Sequence, residues 1–146
     1  MTGLRSALGH PVVATGNAEQ LGKTEGVAVD PQSSTIVAVH VGGSKGSARF
    51  VPWEQISSFG TDAVMVEDAS VVRPTTGPFE QRVADGEGDL LAKRVLTEGG
   101  DELGTVDDVD FDPGDGQLET LHIGTEAIDA DRLIGIGTYA VVVRSD

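Results

Sequence analysis

The feature that most constrains this 146-residue chain is an internal repeat. Leu21-Gly22 and Leu103-Gly104 stand 82 positions apart, and at that offset the apolar positions of the two halves coincide. After a loop that is longer in the first half, the offset becomes 77. The matched positions are Val27 with Val109, Val29 with Phe111, Asp30-Pro31 with Asp112-Pro113, His40 with His122, Val51 with Ile128, and Gly60-Thr61 with Gly137-Thr138. The repeat predicts two similar units joined in one chain.

Each unit has the pattern of short β-strands separated by tight turns. Residues 26–30 and 35–41 alternate apolar and polar side chains, and the Pro- and Ser-containing stretch between them predicts a turn. Gly-rich residues 42–46 predict a hairpin tip, and short helical turns are expected over 53–59 and 127–136. Because closing Val-rich strands into barrels removes their unpaired edges, we predict an all-β fold of two small β-barrels in tandem.

The predicted domain boundaries follow the repeat. The first barrel covers residues 1–66 and the second covers 90–146, and between them residues 67–89 are predicted to form a linker. That stretch contains prolines and several glycines, which favour loops over regular structure. Val71, Val72 and Phe79 are its candidates for packing against a barrel.

Charge is distributed unevenly between the halves. The net charge of −14 divides into −2 over residues 1–73 and −12 over residues 74–146. A negative field repels phosphates, so direct binding of nucleic acid is not expected. No apolar run is long enough for a membrane span, residues 1–13 lack the apolar region of a secretory signal, and cysteine is absent. The absence of cysteine and of a membrane or signal segment favours a cytoplasmic protein. The acidic surface serves either solubility, the simpler interpretation, or the attraction of a basic protein.

Several segments resemble the PRC-barrel family. Residues 21–30 followed by 35–39 are similar to the Gly-Lys hairpin and hydrophobic strand that open a PRC-barrel domain. Residues 50–56 are similar to its strand-to-turn segment, which contains a Val-Pro pair. In the second half, 104–112 keep the hairpin, but Ile128-Asp129-Ala130 replaces the Val51-Pro52-Trp53 of the first. The resemblance implies a docking module for other proteins and supplies no catalytic residue.

A run of acidic residues has two interpretations. Counting Asp108 as the first position of a calcium-binding loop places Asp110, Asp112 and Glu119 at positions 3, 5 and 12. Pro113 stands where such a loop needs glycine, and alternation with Val109 and Phe111 fits the solvent face of a strand. The sequence favours the solvated face and leaves a divalent-cation site as the alternative.

Three further residues are candidates for an interaction surface. His40 and His122 occupy equivalent positions, either as hydrogen-bonded structural residues or as a metal-binding or proton-sensing pair between the barrels. Trp53 is the only tryptophan, and it either anchors a barrel end or contacts a partner.

The predicted function follows from these features together. There is no cysteine and no G-x-S-x-G motif, so the sequence indicates no enzyme and no cofactor. We expect a non-enzymatic protein-interaction or scaffold module whose acidic second unit docks a basic partner or a second copy of the chain. The alternative is a divalent-cation-binding domain built on Asp108, Asp110, Asp112 and Glu119.

Overall fold

The computed structural model describes residues 2–42, 49–85 and 89–145, and most of these residues lie in short strands. The predicted hairpin tip at 42–46 lies, beyond Gly42, outside these ranges. Elements of the first half are β1 (Thr2–Gly3), α1 (Leu4–Ala7), β2 (Pro11–Ala14), β3 (Gln20–Asp30), β4 (Thr35–Gly42), β5 (Arg49–Pro52), β6 (Ile56–Phe59), β7 (Val64–Val66), β8 (Arg73–Pro74) and α2 (Gly77–Ala84). Those of the second are β9 (Arg94–Thr97), β10 (Glu102–Thr105), β11 (Asp108–Phe111), β12 (Leu118–Ile123), β13 (Glu126–Asp129), β14 (Leu133–Ile136) and β15 (Val141–Val143). Three short 3-10 turns cover Trp53–Gln55, Ala69–Val71 and Ala130–Arg132.

The first half forms one curled sheet in the order β6-β7-β2-β3-β4-β5-β8. The long strand β3 pairs with β2 at its start and with β4 along the rest of its length, changing partner near a bulge between Thr24 and Gly26. Strand β2 runs parallel to β7, with Val12 opposite Val64. Because a single 3-10 turn leads from β5 into β6, strands far apart in the sheet order are joined directly, as in a barrel.

The second half repeats these pairings in two four-stranded sheets, β10-β9-β15-β14 and β1-β11-β12-β13. The counterpart of β3 is interrupted between β10 and β11, where Val106 N donates to Lys93 O at 2.9 Å and Asp107 N donates to His122 O at 2.7 Å. Successive amides thus bond to different strands, which divides one sheet into two. Strand β15 runs parallel to β9, and Val95 opposite Val141 corresponds to the Val12–Val64 pair.

The elements of the two halves recur at the offsets seen in the sequence. At 77 residues, β5 coincides with β13, β6 with β14 and β7 with β15, and the 3-10 turns Trp53–Gln55 and Ala130–Arg132 also coincide. The predicted helical turns over 53–59 and 127–136 are therefore each shorter than expected. Alternating residues continue from the turn as strands β6 and β14, which pair with β7 and β15.

One buried apolar cluster spans both halves. It contains fully buried residues from the inner faces of each half, among them Val39, Val51, Val109 and Leu121. The mostly β, curled architecture agrees with the all-β expectation. A small second cluster lies on the outer face of the first sheet, where Val83 of α2 packs on Ala28, Ala38 and Phe50.

The predicted linker carries regular structure. Its residues form a 3-10 turn, the strand β8 and the helix α2, and they pack on the first half through Val83. Val71 and Val72 are partly buried against the main core as expected, whereas Phe79 is 37% exposed. No helix in the described ranges is long and apolar enough to cross a membrane.

The first residues of the chain cross over to the second half. Strand β1 pairs with β11, with Thr2 opposite Phe111, and Leu4 and Ala7 of α1 are buried in the main core. Arg5 Nε donates to Asp107 O at 2.9 Å. The N-terminal segment therefore belongs structurally to the second half.

Candidate functional site

The two halves meet where β4 and β12 begin. An isolated bridge pairs Thr35 with Gln117, which are 82 residues apart. On either side of it, Ile36 N donates to Gly116 O at 2.9 Å and Leu118 N donates to Ser34 O at 2.7 Å. Ile36 and Leu118 are equivalent positions of the two halves, as are Ser34 and Gly116. The two hydrogen bonds are therefore related by a local two-fold axis at the bridge. We call these residues the seam.

Trp53 packs across the seam. Its ring stacks on Phe59, with centroids 5.7 Å apart, and meets Phe111 edge-on at 6.3 Å. Gly116 leaves room for it, because an added Cβ there would lie 3.0 Å from Trp53 Cε2. The counterpart Ala130 is fully buried and its carbonyl accepts from Ser34 Oγ at 2.8 Å. Trp53 therefore packs over Gly116, whereas its small counterpart Ala130 contacts Ser34.

Trp53 is only partly buried and also lines a shallow surface pocket of about 310 Å³ with Ser57, Phe59 and Pro113. The geometry places it in a packing position while leaving part of the ring accessible. Its role as a partner contact stays a prediction.

The two equivalent histidines do not come together. Each lies five residues beyond the bridge of Thr35 with Gln117, and the antiparallel strands lead them in opposite directions. His40 stacks on Phe50, with ring centroids 4.9 Å apart. His122 Nε2 lies 2.7 Å from Asp110 Oδ2. The structure thus gives each histidine a local structural contact and no shared site.

The acidic residues of the candidate cation loop are also held separately. Asp108 Oδ1 accepts from Arg5 N at 2.8 Å and from its own neighbour Val109 N at 2.8 Å. Asp112 Oδ1 accepts from Gly114 N at 2.7 Å, as in a tight turn, and Asp110 bonds to His122. Glu119 lies partly buried on β12. Within the described ranges, no three His, Asp or Glu side chains are grouped closely enough to hold a metal ion.

The outer faces of the two equivalent sheets have opposite character. In the first half this face is apolar and is covered by α2. In the second half the same positions are polar, and the described residues include no helix equivalent to α2 over them. At equivalent positions Ala28 becomes Asp110, Val37 becomes Glu119, Ala38 becomes Thr120 and Phe50 becomes Ala127. We call this surface of β11, β12 and β13 the acidic face.

The helix α2 is fixed in place by a partly buried ion pair. Glu80 is 5% exposed, and Arg73 Nη1 and Nη2 donate to its two oxygens at 2.6 and 2.7 Å. Thr76 N, at the start of the helix, donates to Glu80 Oε1 at 3.0 Å. The hydrogen bonds to Glu80 raise the pKa of Arg73 above its ordinary value. This pair joins α2 to the adjacent strand β8.

An apolar groove of about 600 Å³ lies between α2 and the β14–β15 turn. Phe79 and Tyr139, 37% and 67% exposed, are among its lining residues. Arg94 lies over the Tyr139 ring at 4.8 Å, and Arg82 donates to Ile136 O. Exposed aromatic side chains beside an apolar groove are typical of surfaces that contact other molecules.

The fold and these surfaces define a small, mostly β protein with curled sheets. Residues 88–146 match the PRC-barrel domain family, so the family expected from the sequence is confirmed and the second half is a PRC-barrel domain. The match falls on the half in which the family's motif residues are fewer. None of the curated proteins matches the chain.

Sequence reasoning missed α2 and the groove that it borders. A start signal for this helix is present, since Thr76 is followed by Gly77 and Pro78, and proline is favoured in the first helical turn. The pairing of Arg73 with Glu80 has no counterpart in the repeat and could not be found by comparing the halves.

Proposed function

We propose that the chain is a tandem of two PRC-barrel-like units acting in the cytoplasm as a non-enzymatic protein-interaction module, and that the acidic face of its second unit docks a basic protein. The matched order of elements at offsets of 82 and 77 residues supports the tandem arrangement. The family match supports the kind of domain.

One observation carries the proposal: the sheet face that is apolar and covered in the first half is polar and uncovered, in the described residues, in the second. A surface kept solely for solubility needs no such difference between equivalent sheets. Asp110, Glu119 and Asp129 give this face several carboxylates within a half whose net charge is −12. Such a field increases the association rate and selects partners of opposite charge.

The test compares two variants with equal change in net charge. Glu119→Gln and Asp129→Asn neutralise two carboxylates of the acidic face, and a control carries Glu54→Gln and Asp62→Asn in the first half. Each immobilised full-length chain is exposed to extract of its own cells in 0.1 M NaCl, and the bound proteins are quantified by mass spectrometry.

We expect basic proteins to bind the unmodified chain and the control, and to be lost from the acidic-face variant and at 0.5 M NaCl, because salt screens exposed charges. Equal recovery by both variants, or no basic protein recovered at all, contradicts the proposal.

A further inference from the structure

The acidic face ends at an open sheet edge. In the part of the chain that the structure describes, β13 pairs with β12 alone. Glu126, Ala127 and Asp129 are exposed, while Ile128 points into the core. An edge strand presents unpaired backbone N–H and C=O groups, which can pair with an added strand. We call this the β13 edge.

In the first half, the edge equivalent to the β13 edge is already paired with another strand. Strand β5 is the counterpart of β13 at the 77-residue offset, and its outer edge is covered by β8. In this antiparallel pair Phe50 lies opposite Arg73, and Arg49 lies opposite Pro74. The occupant of the equivalent edge is thus an extended segment that carries an arginine.

The side chains of the β13 edge suit the same kind of segment. Ala127 replaces Phe50, so an arginine placed opposite it would find a small, exposed neighbour. Asp129 lies two residues further on the same strand face, within reach of a long side chain on the diagonal. Its carboxylate is held at the end of β13, because Oδ1 accepts from Asp131 N at 2.9 Å.

A second copy of this chain suits the edge poorly. Antiparallel pairing of two β13 strands would bring the exposed Glu126 and Asp129 of both copies into one short strand pair. Like charges brought close together repel, and each chain already carries a net charge of −14. Charge complementarity therefore favours a basic segment over self-pairing.

We infer that the β13 edge binds an extended, arginine-containing segment of a basic partner protein as an added antiparallel strand, with the arginine opposite Ala127. The inference rests on the proposed function and specifies its contact: backbone pairing supplies affinity, and the arginine with Asp129 supplies register.

The probe is a synthetic peptide with the sequence of residues 69–76, which contains the natural occupant of the equivalent edge, and a second peptide with alanine in place of the arginine. Each is titrated into the full-length, isotope-labelled protein while backbone amide shifts are recorded by NMR. The site variant is Ala127→Arg, which places a like charge opposite the peptide arginine. Thr61→Arg, at an exposed turn of the first half, is the control with the same change in charge.

The arginine peptide should shift the amides of residues 126–129. Removing the peptide arginine should weaken binding by up to about fivefold, the range of an exposed ion pair. The Ala127→Arg protein should bind about fivefold more weakly or not at all, while Thr61→Arg should bind as the unmodified chain does.

Shifts confined to β5, equal binding by the Ala127→Arg protein, or no shifts would overturn the inference. Concentration-dependent shifts of residues 126–129 without peptide would identify a second copy as the occupant and overturn it too. The proposed function fails separately: if basic proteins are still captured through the acidic carboxylates while the β13 amides stay unperturbed, docking stands and strand addition is wrong.

Discussion

Replacing Gly116 with alanine tests the seam directly. Gly116 has φ of +79°, and an added Cβ would lie 3.0 Å from Trp53 Cε2 and 3.1 Å from Ile36 O. A non-glycine residue in the left-handed region costs about 1–2 kcal/mol. Crowding of a packed site costs about 1–3 kcal/mol more. We expect Gly116→Ala to lower the free energy of unfolding by about 2–5 kcal/mol.

Gly124→Ala separates the two contributions. Gly124 has φ of +62°, and an added Cβ there would meet nothing within 4 Å. This control therefore incurs only the backbone cost of about 1–2 kcal/mol. The difference between the two variants, about 1–3 kcal/mol, measures the crowding at the seam.

Urea denaturation of both variants, with thermal melts as a second measurement, gives that difference. At about 3 °C per kcal/mol for a chain of this size, Gly116→Ala should melt about 3–9 °C below Gly124→Ala. Adding Trp53→Leu should lessen the penalty of Gly116→Ala, since the two side chains contact and their effects should couple. Equal losses in the two alanine variants, or strict additivity with Trp53→Leu, would show that Trp53 does not pack over Gly116.

Three other substitutions have defined outcomes. Ala92 has φ of +67°, so Ala92→Gly should relieve backbone strain and raise the free energy of unfolding by about 0.5–1 kcal/mol, and a lower urea midpoint would contradict this. Glu80→Gln weakens the ion pair with Arg73 and should lower the stability of α2 by about 1–2 kcal/mol. Hydrogen exchange should therefore become faster in α2 than in the unmodified protein, while exchange in β12 stays unchanged. Hydrogen bonds from the side chain and backbone N–H of Ser70 hold the pKa of Asp68 below its ordinary value, so this stabilisation is lost as the pH falls through that pKa. Ser70→Ala should raise the pKa of Asp68 in an NMR titration, and an unchanged value would exclude the hydroxyl as a cause.

The strands were predictable because each follows from local alternation and turn residues. The alternation over residues 35–41 matches strand β4 (Thr35–Gly42), and Pro31 and the serines of the β3–β4 turn mark the end of β3. The repeat added independent support, since a weak pattern in one half is reinforced by the other.

The helix α2 escaped prediction for a physical reason. Only Val83 and Glu80 of its eight residues are buried, so it lacks an apolar stripe with the period of a helix. It is held instead by Arg73 and by the face around Phe50, which are remote contacts.

The acidic face and the β13 edge likewise depend on contacts between residues far apart in the sequence. The change from Phe50 to Ala127 is visible once the halves are aligned, but its meaning is not. Which edge is covered depends on the path of β8, and which carboxylates are already engaged depends on Arg5 reaching the second half. Neither contact leaves a periodic pattern in the sequence.

The crossing of the N-terminal segment has a consequence for synthesis of the protein. Residues 2–7 leave the ribosome well before their partner strand, since β1 pairs with Asp110 and Phe111, which follow more than a hundred residues later. At typical elongation rates of about 5–20 residues per second, the segment waits about 5–20 s for its partner strand. During that interval Leu4 and Ala7 lack their place in the core, so residues 2–7 are made long before they can fold, and a chain released early leaves them exposed.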